Sequence, residues 1–113
     1  MDKSILTTIK KLLGIEEEYT HFDVDIIAHI NSVFMILQQL GVGPAEGFSI
    51  EDATSNWSDY IDDIHNFEAV KTYIHLKVKL IFDPPTSSAV IQAYKELIAE
   101  LEGRLNIAAE THC

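Results

Sequence analysis

The chain has 113 residues, a formal net charge of −10 and an apolar share of 47%, enough to build one domain around one core without disulfides or metals as staples. Residues 1–65 carry twelve acids against Lys3, Lys10 and Lys11, and residues 66–113 carry six acids against five bases. Such a surface repels phosphate backbones and offers no basic stripe to track one, which excludes sequence-specific duplex binding.

In chain order, Ser4 is the natural N-cap of a short first helix with Ile5, Leu6, Ile9, Leu12 and Leu13 on its apolar side and Gly14 as its stop. Lys10 and Lys11 fall in its last turn, where the helix macrodipole favours cations. The start of the chain has no basic, apolar and small-residue succession of a signal peptide. Glu16, Glu17 and Glu18 follow as a solvated linker, a better account than a cation site. A second helix is predicted from about 20–23 to Leu40, with Phe22, Ile26, Ile27, Ile30, Val33, Phe34, Leu37 and Leu40 on one wide face and Gly41 closing it. Ile26 to Ala45 contains no Asp, Glu, Lys or Arg, but polar residues leave its apolar part far short of the roughly 20 residues of a membrane span. The expectation is a soluble protein without a membrane partner.

Residues 41–55, GVGPAEGFSIEDATS, form the main irregular segment, with Phe48 and Ile50 as a short strand or as pins to the core. Loops of this length in small domains are often functional or mobile. Ser55 or Asn56 caps a short helix containing Trp57, Tyr60, Ile61 and Ile64. Trp and Tyr serve well as interface anchors, so Val42, Pro44, Phe48, Ile50, Trp57 and Tyr60 are the candidate assembly-interface residues. The competing account packs Trp57, Ile61 and Ile64 inward at helical spacing.

Phe67 to Phe82, FEAVKTYIHLKVKLIF, carries two apolar stripes, Phe67, Val70, Ile74, Val78 and Ile81 beside Tyr73, Leu76 and Leu80. A helix with two stripes must be covered by several neighbours, so this is the expected central helix, with Lys71, Lys77 and Lys79 as one narrow solvated side. Asp83-Pro84-Pro85 ends it, because proline forces its predecessor out of the helical region. Thr86, Ser87 or Ser88 caps a last helix from Ala89 to about Ala108, and the short turn makes the two an antiparallel αα-hairpin. The fold class is therefore all-α: one domain, 1–113, of four to five helices with a long irregular loop.

No reacting constellation is visible. His21, His29, His65, His75 and His112 include no H-x3-H pair and no cysteine partner at zinc-like spacing. Asp59, Asp62, Asp63 and His65 are the nearest approach to a metal cluster, and a solvated acidic rim explains them better. GVGPAEG lacks the Lys-Ser/Thr of a phosphate loop. The single cysteine, Cys113, permits no internal disulfide. No catalytic residue, cofactor or metal is expected, and the chain does not read as an enzyme.

The stretch SILTTIKKLLGIEEEYTHFDVDIIAHINSVFMILQQLGVGP and the later EAVKTYIHLKVKLIFDPPTSSAVI resemble the small head–tail connector (adaptor) proteins of tailed bacteriophages. The resemblance rests on the order of the parts over residues 4–108: a helix ending in LLGI, an acidic spacer, an Asp-rich helix start, a G-V-G-P and W-S-D loop, and a hairpin turning on F-D-P-P. It implies a small helical virion protein that forms a ring, twelve-fold by that resemblance, below the portal at the head–tail junction. It also implies a portal partner, a tail or stopper partner, DNA passing through the ring without sequence-specific binding, and assembly in the bacterial cytoplasm. The alternative from another class is a small acidic regulatory or adaptor protein acting on a protein partner. A DNA-binding helix-turn-helix is weaker, since the last helix offers only Lys95 and Arg104 as bases.

Overall fold

The computed structural model describes residues 3–61 and 64–111, with the backbone alone at 64, 65, 110 and 111. Five helices follow in order: α1 (Ile5–Leu12), α2 (Asp23–Gln39), α3 (Trp57–Tyr60), α4 (Ile64–Phe82) and α5 (Ser88–Thr111). The described residues contain no strand, only an isolated antiparallel bridge between Ser4 and Asn56. The all-α class, the helix count, the loop and the C-terminal hairpin agree with the sequence reading.

Both early helices start and stop for local reasons. The Ser4 hydroxyl accepts the Thr7 N–H at 3.2 Å, satisfying one of the free donors of the first turn of α1. The ends of α1 and α2 share one geometry. Gly14 and Gly41 take φ of +82° and +89°, a region open to glycine at no steric cost. The next residue then donates back to the third-last helical carbonyl, Ile15 to Lys10 and Val42 to Leu37, both at 2.9 Å. This is the Schellman closure, and the buried pair Val42 and Leu37 supplies its usual apolar contact.

Helix α4 is the centre of the molecule, packed against α1, α2 and α5. Val70, Tyr73, Ile74, Leu76 and Val78 are buried on several sides of it, as two adjacent stripes require. Its lysines depart from expectation. At 100° per residue Lys77 stands about 240° around the helix from Lys71, so the three share no solvated side. Each is half-buried in its own setting. Lys71 reaches Glu68 at 2.9 Å and lies over the Phe67 ring, Lys77 lies over Tyr73, and Lys79 reaches Asp83 at 3.0 Å. Long stems cover apolar surface while their ends find acids or ring faces.

The hairpin closes through Asp83–Ser87, and the Tyr73 hydroxyl donates to Glu102 at 2.6 Å across α4 and α5. Helix α2 runs antiparallel to α4, because Phe22 before its first turn meets Phe82 in the last turn of α4 at 5.2 Å between ring centroids. Buried residues from α1 to α5 and the loop form one cluster, in a flattened body of 40 × 35 × 20 Å.

The short third helix is the second departure. It ends at Tyr60, Ile61 is extended at φ −147° and ψ 136°, and Ile64 belongs to α4. One turn is complete once Ile61 N–H donates to the Trp57 carbonyl at 2.9 Å, and the extended Ile61 redirects the chain into α4. No helix among the described residues is long and apolar enough to cross a membrane.

Candidate functional site

The irregular segment after α2 is held to the protomer at successive points. The Asn31 side chain on α2 donates to the Ile50 carbonyl at 3.0 Å and accepts the Ile50 N–H at 2.8 Å, as a neighbouring strand would. Gln38 donates to the Ala45 carbonyl at 2.8 Å. Further on, the Asp52 carboxylate accepts from both the N–H and the hydroxyl of Thr54, which holds its pKa below the usual value. Asp59 accepts the Asn56 N–H at 2.8 Å and so fixes the start of α3. Ile5 N–H donates to Ser55 and Trp57 N–H to Lys3, at 3.0 and 3.1 Å, tying the end of the loop to the beginning of the chain.

These tethers place the six candidate interface residues. Val42, Ile50, Trp57 and Tyr60 are buried in the protomer, and Pro44 and Phe48 are half-buried. Phe34, Phe48 and Tyr60 form one aromatic group, with centroids 4.5 to 5.3 Å apart. Gly43 lies against it so closely that a Cβ there would stand 2.6 Å from the Tyr60 ring. The Tyr60 hydroxyl has no hydrogen-bond partner among the described residues, and burial pushes its pKa well above the normal phenol range. Trp57 is not part of that group. It sits between α1 and α4, donating from Nε1 to the Thr8 hydroxyl at 3.0 Å and meeting Phe67 edge-on at 5.4 Å. The loop shows solvent mainly small and acidic groups, including Ala45, Glu46, Ser49, Glu51, Asp52 and Ala53.

Two features have little signal in the sequence. Lys10 is 2% exposed, and its ammonium donates to the carbonyls of Glu17 at 3.0 Å and Tyr19 at 2.7 Å while standing 2.9 Å from Asp23 Oδ1. The acidic linker is thereby wrapped onto α1 and α2 by one buried cation. Lys10 is adjacent to Lys11 and looks identical to it in the sequence; only its phase, one residue after Ile9, places it inward. The second feature is an open groove between α1 and α4 with Leu12, Ile15, Trp57 and Phe67 in its walls and Lys3, Lys11 and Lys71 beside them.

Chemistry is sparse. No three His, Cys, Asp or Glu side chains group to hold a metal ion among the described residues. Asp62, Asp63, His112 and Cys113 and the side chain of His65 lie outside those residues. Burial, with Lys79 nearby, lowers the His75 pKa, opposed by the Leu12 carbonyl that accepts from the imidazole. Burial and then Glu102 raise that of Tyr73 above the normal phenol range. These groups serve packing contacts between helices.

Comparison with known proteins gives one family. The family model described as phage connector protein matches residues 5–112. No curated protein and no solved structure matches the chain.

Proposed function

The chain belongs to the phage connector protein family, and on that premise we propose that it forms a ring beneath the portal, joins head to tail and extends the DNA channel. The observation that carries this reading is the extent of the match. It runs from the first residue of α1 to one residue past the end of α5, so it takes in the whole helical body. A structural part of a virion needs a stable shape and faces for its neighbours rather than a reacting centre.

The charge supports passage of DNA. A chain with net charge −10 has little to neutralise phosphates with, so DNA moving through a ring of such subunits is repelled rather than retained. In a ring each subunit uses two different patches, and the contact closes by rotation. We place one patch on the outer side of the 41–57 segment. Val42, Ile50, Trp57 and Tyr60 act from inside by holding that segment in shape, while its small and acidic exposed residues, with Pro44 and Phe48 at their edge, meet the neighbour.

The portal is one axial partner and a tail or stopper protein the other, with assembly in the bacterial cytoplasm. The test is co-assembly. The purified chain is mixed with the portal protein of the same phage and examined by native mass spectrometry and negative-stain microscopy. A portal capped by a coaxial ring of this chain is expected. A monomer or dimer that leaves the portal bare would point to the regulatory-adaptor alternative.

A further inference from the structure

The open groove between α1 and α4 collects free positive charge in a chain that has little of it. Its volume is about 1050 Å³, room for a stretch of chain rather than for one side chain. Exposed Leu12 and half-buried Ile15 and Phe67 bring apolar surface to it, and Lys3, Lys11 and Lys71 bring charge. The whole chain has eight Lys and Arg against eighteen acids. Five of the eight are engaged within the protomer. Lys10 is paired with Asp23, Lys71 with Glu68, Lys79 with Asp83 and Arg104 with Glu100, and Lys77 lies over the Tyr73 ring. Lys3, Lys11 and Lys95 remain, exposed and without an ion pair among the described residues. Lys95 lies on α5, and the other two share the groove. Glu16 and Glu17 line the groove too, past the end of α1, but neither is paired with those lysines. Lys3 and Lys71 belong to the other end, around Trp57. Its N–H donates to the Lys3 carbonyl, and it meets the Phe67 ring that Lys71 covers.

No Lys or Arg occurs from residue 12 to residue 70. The 41–57 segment therefore meets a neighbour with acids alone: Glu46, Glu51 and Asp52 are exposed among Ala45, Ser49 and Ala53. Like charges set against each other across a contact weaken it strongly. A ring of this chain has to bring that segment against its own few free bases. We infer that the groove of one subunit receives the 41–57 segment of the next. The acids of the segment meet Lys3 and Lys11, and its small residues with Pro44 and Phe48 cover Leu12, Ile15 and Phe67. The segment is pinned to α2 through Asn31 and Gln38, whereas the groove opens between α1 and α4. The two patches thus lie on different elements, as a heterologous contact that closes by rotation requires. The inference rests on the ring reading and deepens it, because it names the second of the two patches and what occupies it.

Charge reversal with rescue is the test, on the full chain and the portal protein of the same phage. Lys3→Glu with Lys11→Glu reverses the groove, Glu46→Lys with Glu51→Lys reverses the segment, and a third chain carries all four changes. These four side chains are exposed and none is ion-paired among the described residues, so every variant should keep the wild-type circular dichroism. Ring assembly is read by native mass spectrometry with and without portal, at several salt concentrations. Each reversed pair should assemble about tenfold more weakly or worse. The chain with all four changes, its charges exchanged, should assemble as the wild type does. Wild-type assembly should weaken as salt rises. Reversed pairs that assemble normally, or a fourfold variant that recovers nothing, overturn the inference while the wild-type ring leaves the connector reading standing. A reversed groove that keeps the ring but loses the portal overturns it in favour of the portal as the occupant. A wild-type chain that forms no ring, with portal or without, overturns the connector reading and the inference together.

Discussion

Lys10 donates to two carbonyls and is ion-paired with Asp23 from a position 2% exposed, and a buried ion is tolerated when it is both paired and hydrogen-bonded. Lys10→Met keeps the stem but leaves two carbonyls without their donor and Asp23 without its counter-charge. Chemical denaturation should show a loss of about 2–4 kcal/mol. Trp57 makes a different prediction from the one an interface anchor would make. It is fully buried and bonded to Thr8, so Trp57→Ala should cost the isolated protomer about 3–5 kcal/mol, measured by urea unfolding below any assembly concentration. His75 gives the pH dependence. Its folded pKa lies below the unfolded value of about 6.5, so near that pH the unfolded chain binds more protons than the folded one. Stability then rises with pH, and it falls as pH drops from about 6.5 towards the lowered folded pKa. His75→Gln should flatten that part of the curve relative to wild type when thermal unfolding is compared at several pH values. Little of this is legible in the sequence. Lys10 and Lys11 are chemically identical; helical phase turns Lys10 inward, and the acceptors that make its burial tolerable come from a linker whose wrapping has no local signal. Trp57 suits an interface and a core equally well until Thr8 and Phe67 are seen around it.

At the scale of elements the sequence is far more legible. Ser4, Gly14, Gly41 and the Asp83-Pro84-Pro85 turn mark boundaries by backbone chemistry that acts over a few residues, and the structure ends its helices at them. The double stripe on Phe67–Phe82 identifies α4 as central for the same reason, since periodicity reports how many sides need cover. Tertiary detail is where the sequence reading departs. The lysines of α4 read as one solvated side, yet each has its own acid or ring, and α3 stops at Tyr60, where Ile61 turns extended. The loop's tether through Asn31 joins residues nineteen apart, beyond any local signal. Gly103 in α5 tests the reading of a single element. A Cβ there meets nothing within 4 Å, and the position is exposed on a helix. Gly103→Ala should raise stability by about 0.5–1 kcal/mol, read as a higher urea midpoint with an unchanged slope.

For the whole molecule, the family membership, the shape and the charge bear on one another. A flattened body 20 Å thick, with small and acidic groups exposed on the 41–57 segment, offers a face for the ring neighbours proposed above. Of the six candidate interface residues of the 42–60 region, Val42, Ile50, Trp57 and Tyr60 are buried in the protomer, a placement set by packing that their residue types alone do not reveal. The central claim concerns what the assembled molecule is, so it is tested most directly on particles. Quantitative mass spectrometry of purified phage from the source host should find this chain at the portal's own copy number. Its absence from particles that contain portal and tail proteins would contradict the connector account.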